Sequence, residues 1–130
     1  MLVRHSPLRI ADLRAATGLF VRLADAPQEI GAFAYLDRDW RLLGMRHVAG
    51  QAAGRLDVPV RAVVADALAF DARAVLMAHN HPSGDPTPSP ADRSTTHLLL
   101  RALEPLDLRL ADHLVIARAG IASFRELGWL

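Results

Sequence analysis

Ala74-Val75-Leu76-Met77-Ala78-His79-Asn80-His81, running on into Pro82-Ser83-Gly84-Asp85-Pro86-Thr87-Pro88-Ser89-Pro90-Ala91-Asp92, is the stretch from which the fold can be read. Its opening apolar run suits a buried strand. Side chains two apart on a strand share a face, so His79 and His81 project together. Pro82, Gly84, Pro86, Pro88 and Pro90 then exclude regular structure and force a tight, pre-ordered loop. The loop delivers Ser89-Pro90-Ala91-Asp92 to a helix start, with Asp92 eleven residues after His81. Two imidazoles and one carboxylate, converging from a strand end and a helix start, make a three-ligand site. Zinc held by three protein ligands keeps a fourth position for water, which is the catalytic pattern and not the closed structural one.

Upstream, the turn Phe70-Asp71-Ala72 leads into that strand from a helix introduced by Asp57-Val58-Pro59, with Val60, Val63, Val64, Ala67 and Leu68 on one side. Before it, residues 30–36 are almost continuously apolar and read as a strand, Asp37-Arg38-Asp39 as a turn, and residues 40–48 as the antiparallel partner. Residues 50–54 form a small-residue loop. At the start of the chain, Ser6-Pro7 reads as a helix cap and first turn. Ile10, Leu13, Thr17, Phe20, Val21 and Ala24 follow at helical spacing, interrupted by Gly18 and ended by Asp25-Ala26-Pro27-Gln28. Downstream, a third helix spans residues 90–103 and stops at Glu104-Pro105, because proline disfavours helical geometry in the residue before it. Residues 108–117 read as a strand, Ala119-Gly120 as a turn, and residues 121–124 as a short last strand. The expected architecture is one α/β domain over residues 1–130, with helices on both faces of a mixed sheet.

At 130 residues the chain fits one domain with a sizeable core. Apolar residues make up 52% and aromatics only 5%, so the core must come mainly from aliphatic side chains. Cysteine is absent, which excludes disulfides and thiolate metal sites and leaves nitrogen and oxygen as metal donors. The 15 basic residues are all arginine, balance 14 acids to a net charge of +1, and are scattered. A nucleic-acid footprint is normally a basic stripe or run, so the pattern argues against such a partner. No apolar stretch reaches the roughly 18 residues of a membrane span, and the first residues lack a signal-peptide core. The default location is cytoplasmic.

His79-x-His81, then seven residues, then Ser89-x-x-Asp92 resembles the motif of the JAMM (MPN-type) metalloproteases. The longer string from His79 to Asp92 is similar to the RadC branch of that superfamily, the RadC-like JAB domains. Leu36-Asp37, the helix after Pro59 and Asp112-His113-Leu114-Val115-Ile116 extend the likeness over nearly the whole chain. The helix-hairpin-helix segment that usually precedes this domain is expected to be missing, which weakens a DNA-repair reading. The resemblance implies a three-layer α/β sandwich of the JAMM/MPN, cytidine-deaminase-like kind. It implies a zinc ion on His79, His81 and Asp92, a glutamate that takes the water's proton, and Ser89 stabilising the oxyanion. Family members of known activity cut peptide or isopeptide bonds, often at ubiquitin-like tails, so the expected partner is a protein or peptide substrate.

The glutamate can be sought by elimination among three. Glu104 lies twelve residues past Asp92 on the same helix, roughly 18 Å along its axis, too far to share a water. Glu126 sits close to the C-terminus. Glu29 opens a strand expected beside that of His79, and it matches the family's position eight residues ahead of Asp37. Other assignments stay open. Ser89-Pro90-x-Asp92 is a good capping box by itself, so Asp92 reads from the residues as either cap or ligand. Asp85 reads as ordering the proline loop, and Asp112-His113 as either a structural pair or a partner of a ligand imidazole. His5, His47 and His97 read as surface residues. Zinc deaminases need cysteine ligands and an H-x-E pattern, so they do not fit. The alternative to a hydrolase is a non-catalytic metal-containing module that binds a protein or DNA.

Overall fold

The computed structural model describes residues 8–50 and 57–130. The central strand, β3 (Ala74–Asn80), is buried along its whole length, as a continuous apolar run requires. It lies between β1 (Ile30–Leu36), antiparallel to it, and β4 (Arg109–Ala117), parallel to it. β2 (Leu42–Ala49) and β5 (Gly120–Ser123) close the two edges, both antiparallel, for an order β2-β1-β3-β4-β5. The sheet is mixed, as expected.

Period-2 alternation sends the two halves of each strand to different layers. Ala32, Ala34 and Leu36 of β1 join Leu76 and Ala78 of β3 against Ala16 and Phe20 of α1 (Leu13–Phe20). Phe33, Tyr35, Val75 and Met77 face the other way, against Val63 and Ala67 of α2 (Val60–Ala69) and Leu99 and Leu103 of α3 (Pro90–Leu103). Helices cover both faces, giving the three-layer α/β sandwich. On α2, Asp66 accepts from Tyr35 Oη (2.7 Å) and from Arg46 Nε and Nη2, which ties that helix to β1 and β2. No helix among the described residues is long and apolar enough to cross a membrane.

Two boundaries differ from expectation. The Ser6-Pro7 cap, His5 and loop residues 51–54 lie outside the described residues, but residues 8–10 are not helical. Leu42 N donates to Leu8 O (2.8 Å) and Ile10 N to Trp40 O (2.7 Å), so this segment runs along the start of β2. α1 begins only at Leu13, where Asp12 caps it by accepting from Ala15 N. Ile10 is buried in the same layer as α1, so its apolar spacing fitted a helix it does not join. Gly18 lies within α1 without breaking it; the geometry tightens later, in a 3-10 segment over Val21–Asp25. The second strand also starts later than residue 40. Trp40 adopts a left-handed backbone (φ 63°), closing a turn in which Asp37 Oδ1 accepts from Asp39 N and Arg41 N.

Candidate metal centre

The C-terminal end of β3 faces the first turn of α3, and the pleat turns His79 and His81 toward that helix. His79 is 1% exposed. Its Nε2 lies 3.2 Å from His81 Nε2 and 3.1 Å from Asp92 Oδ1, and His81 Nε2 lies 3.1 Å from Asp92 Oδ2. Ligands about 2.0–2.1 Å from a tetrahedral ion sit about 3.3 Å from one another. One donor atom from each of the three side chains lies within 4.8 Å of the others, close enough to share an ion, and they form the one cluster of this kind among the described residues.

The protonation pattern fits a cation as well. His81 Nδ1 lies 2.9 Å from the Asp85 carbonyl, which can only accept, so that nitrogen carries the hydrogen and Nε2 is left bare. His79 Nδ1 is likewise occupied, by His113 Nε2 at 2.7 Å. The bare Nε2 of His81 and the carboxylate of Asp92 then point into one space with His79 Nε2, an arrangement that needs a proton or a metal ion between the groups. His81 is made more basic, chiefly by its bond to Asp92 and against its burial. Burial opposes ionisation of Asp92, yet His79 and His81 overcome it and hold the carboxyl well below the usual carboxylate range.

Asp92 closes the capping box and also stands in the cluster with His79 and His81, so capping does not take its carboxylate out of a metal's reach. Its Oδ2 accepts from Ser89 N (2.8 Å) while facing His81, and Ser89 Oγ accepts from Asp92 N (3.1 Å). The Ser89 hydroxyl keeps its own proton and lines the cleft. Asp85 orders the proline loop, accepting from Thr87 N and Oγ1, while its carbonyl aims His81. His47 and His97 are exposed.

Glu29 stands just before β1. The pairing Gly31↔His79, continued two residues, sets it opposite His81. Its Oε1 lies 3.9 Å from His79 Nε2, and burial raises its pKa. Glu29, Ser89, His81 and Asp92 share the wall of a cleft of about 720 Å³, with Val58, Ala91 and Leu98 as its apolar part.

Asn80, which carries no expected role, holds the segment of Glu29 in place. Buried on the opposite face of β3, its Oδ1 accepts from Ile30 N (2.6 Å) and its Nδ2 donates to Gln28 O (2.9 Å) and Ala26 O (3.3 Å). Its place between the two histidines was the one available signal. The Asp112-His113 pair separates: Asp112 accepts from Ser123 Oγ and Arg125 N, whereas His113 turns to His79.

The sequence profile of the RadC-like JAB domain matches residues 10–129. A UPF0758 protein of Methylibium petroleiphilum is 42% identical over 128 residues, which is 98% of this chain and 55% of that protein. The UPF0758 protein YfjY of Escherichia coli K12 is 39% identical over 129 residues, covering 98% of this chain and 81% of its own length. A UPF0758 protein of Vibrio cholerae is 42% identical over 109 residues, with coverages of 84% and 68%. The chain thus spans little more than half of the Methylibium relative.

Proposed function

This chain belongs to the RadC-like JAB domain family, and from that premise we propose that it is a zinc-dependent hydrolase of peptide or isopeptide bonds. The observation that carries the reading is the convergence of donor atoms of His79, His81 and Asp92 within 4.8 Å of one another, with the carboxylate of Glu29 beside them at a cleft wall. His79 and His81 through Nε2, and Asp92 through its carboxylate, would hold the ion. When bound, zinc supplies Lewis acidity that polarises a carbonyl and brings a water's pKa towards about 7.

The chain's own groups do the rest. Glu29 accepts a proton from the attacking water, and the burial that raises its pKa brings that carboxylate nearer to working pH, where a base also serves as the returning acid. The same proton then goes to the leaving amine. Ser89, whose backbone the capping box holds still, offers its hydroxyl proton to the negative oxygen developing on the carbonyl. The apolar wall of Val58, Ala91 and Leu98 gives a peptide side chain somewhere to sit.

The test is metal analysis of wild type, His79→Ala and Asp92→Asn, with cleavage of a peptide library by wild type and Glu29→Gln. Near-stoichiometric zinc in wild type alone, and cleavage lost in Glu29→Gln with zinc retained, are the expected results. Full hydrolysis by Glu29→Gln removes the mechanism. Strong, salt-sensitive DNA binding by metal-free protein would favour the non-catalytic module instead.

A further inference from the structure

Behind the triad lie two buried polar side chains, His113 and Thr96, that the proposed chemistry does not use. The His113 ring is held between those of His79 (centroids 4.8 Å apart) and Phe124 (4.4 Å). Its Nε2 meets His79 Nδ1 at 2.7 Å, and its Nδ1 meets Thr96 Oγ1 at 2.5 Å. Thr96 Oγ1 in turn donates to the main-chain carbonyl of Asp92 at 2.9 Å.

One proton order satisfies that bond and every other contact in the chain of groups. In it the single Thr96 hydroxyl proton goes to Asp92 O, which can only accept. Thr96 Oγ1 must then accept from His113 Nδ1–H. A neutral imidazole has one N–H, so His113 Nε2 is bare and accepts from His79 Nδ1–H. His79 Nε2 is thereby left without a proton and aimed at Asp92 and His81. The circuit begins at one member of the triad and ends on the helical turn that carries another.

We propose that Thr96, acting through His113, sets the tautomer of His79 and locks its ring to the turn of α3 that carries Asp92, so that both are positioning residues for metal binding. The proposal rests on the reading of His79, His81 and Asp92 as metal ligands. Ligand histidines usually donate to a carboxylate, a carbonyl or water. Here the acceptor is a neutral ring backed by a hydroxyl, so orientation comes without a second negative charge behind the ligand.

The experiment compares zinc dissociation constants of wild type, Thr96→Val and Thr96→Ser by chelator competition, with circular dichroism and melting to check folding. Valine keeps the shape and loses the hydroxyl; serine restores it. The expected result is zinc binding weakened about 10-fold in Thr96→Val, the low end of the range for a partner that bonds a ligand directly, and near wild type in Thr96→Ser. A folded Thr96→Val that binds zinc as tightly as wild type overturns the proposal, as does a serine variant as weak as the valine one. Should the valine variant not fold, nitrogen-15 NMR of zinc-loaded wild type decides: the proton on His113 belongs at Nδ1, and finding it on Nε2 refutes the circuit. These readouts need no substrate. An unchanged Thr96→Val leaves the hydrolase reading standing, whereas wild type that takes up no zinc removes both.

Discussion

Replacing Gly50 by alanine should displace the proposed base while leaving every triad side chain in place. Gly50 N donates to the Glu29 carbonyl at 2.7 Å, where the end of β2 passes the residue before β1. A Cβ at Gly50 would sit 2.7 Å from Glu29 O and 3.1 Å from Glu29 Cβ, against the 3.4 Å at which ordinary contact begins. The shortfall is about 0.7 Å, and it falls on main chain that cannot swing aside. The Ile30↔Ala49 pair holds the strands together next door, and Asn80 grips Ile30 and Gln28 from behind. Relief therefore comes by shifting Glu29. A base works within about 2.6–3.2 Å of its proton, and a misplacement of about 1 Å can cost about 100-fold. Gly50→Ala should lower kcat by roughly 10- to 100-fold, with KM and the zinc dissociation constant within about twofold of wild type. Overpacking of this kind costs about 1–3 kcal/mol of stability, visible as a drop of several degrees in Tm. The assay is cleavage of the best library peptide, beside zinc titration and melting of the same samples. A wild-type kcat in Gly50→Ala, or activity and zinc lost together, would refute the reasoning.

Asn80→Ala should mimic that phenotype from the other side of the sheet, leaving partly buried main-chain groups of the Glu29 segment without their partner at about 1 kcal/mol; measured by urea unfolding and zinc titration, it should lose stability and kcat but not the metal. Asp92 has two duties that substitution can separate. Asn keeps a cap acceptor for Ser89 N, so Asp92→Asn should lose zinc at little cost in Tm, whereas Asp92→Ala should lose zinc and about 1 kcal/mol more of stability. The Asp66 carboxyl is held below its ordinary pKa, chiefly by the hydrogen bond from Arg46. A depressed folded pKa contributes stability above the unfolded value, about 3.9, and loses it as pH falls through the folded one. The Tm gap between wild type and Asp66→Asn should thus be largest near neutrality and shrink towards pH 3.

Much of the local chemistry could be read along the chain. Five apolar residues before His79 must be a buried strand, alternation puts His79 and His81 on one side, and Ser89-Pro90 starts a helix; each follows from interactions within a few residues. The first helix shows where such reading stops, because the spacing of Ile10 suits a helix face and a packed extended segment equally. Pairing with β2 decides between them, and that contact spans some thirty residues. His113 is the sharpest case. Neighbours on a strand face opposite ways, so one of Asp112 and His113 had to turn towards the triad. Which one was decided by a register shift against β3 between Val75 and Leu76, after which His113 pairs with Met77 and shares its face with His79. The roles of Asn80 and Thr96 have the same origin. By itself the sequence determined which side chains could bind a cation and on what local scaffold they stood, because backbone sterics and periodicity act at short range. Only the tertiary structure decided which buried polar groups hold those side chains in place, because cross-strand register and helix docking depend on contacts between distant parts of the chain.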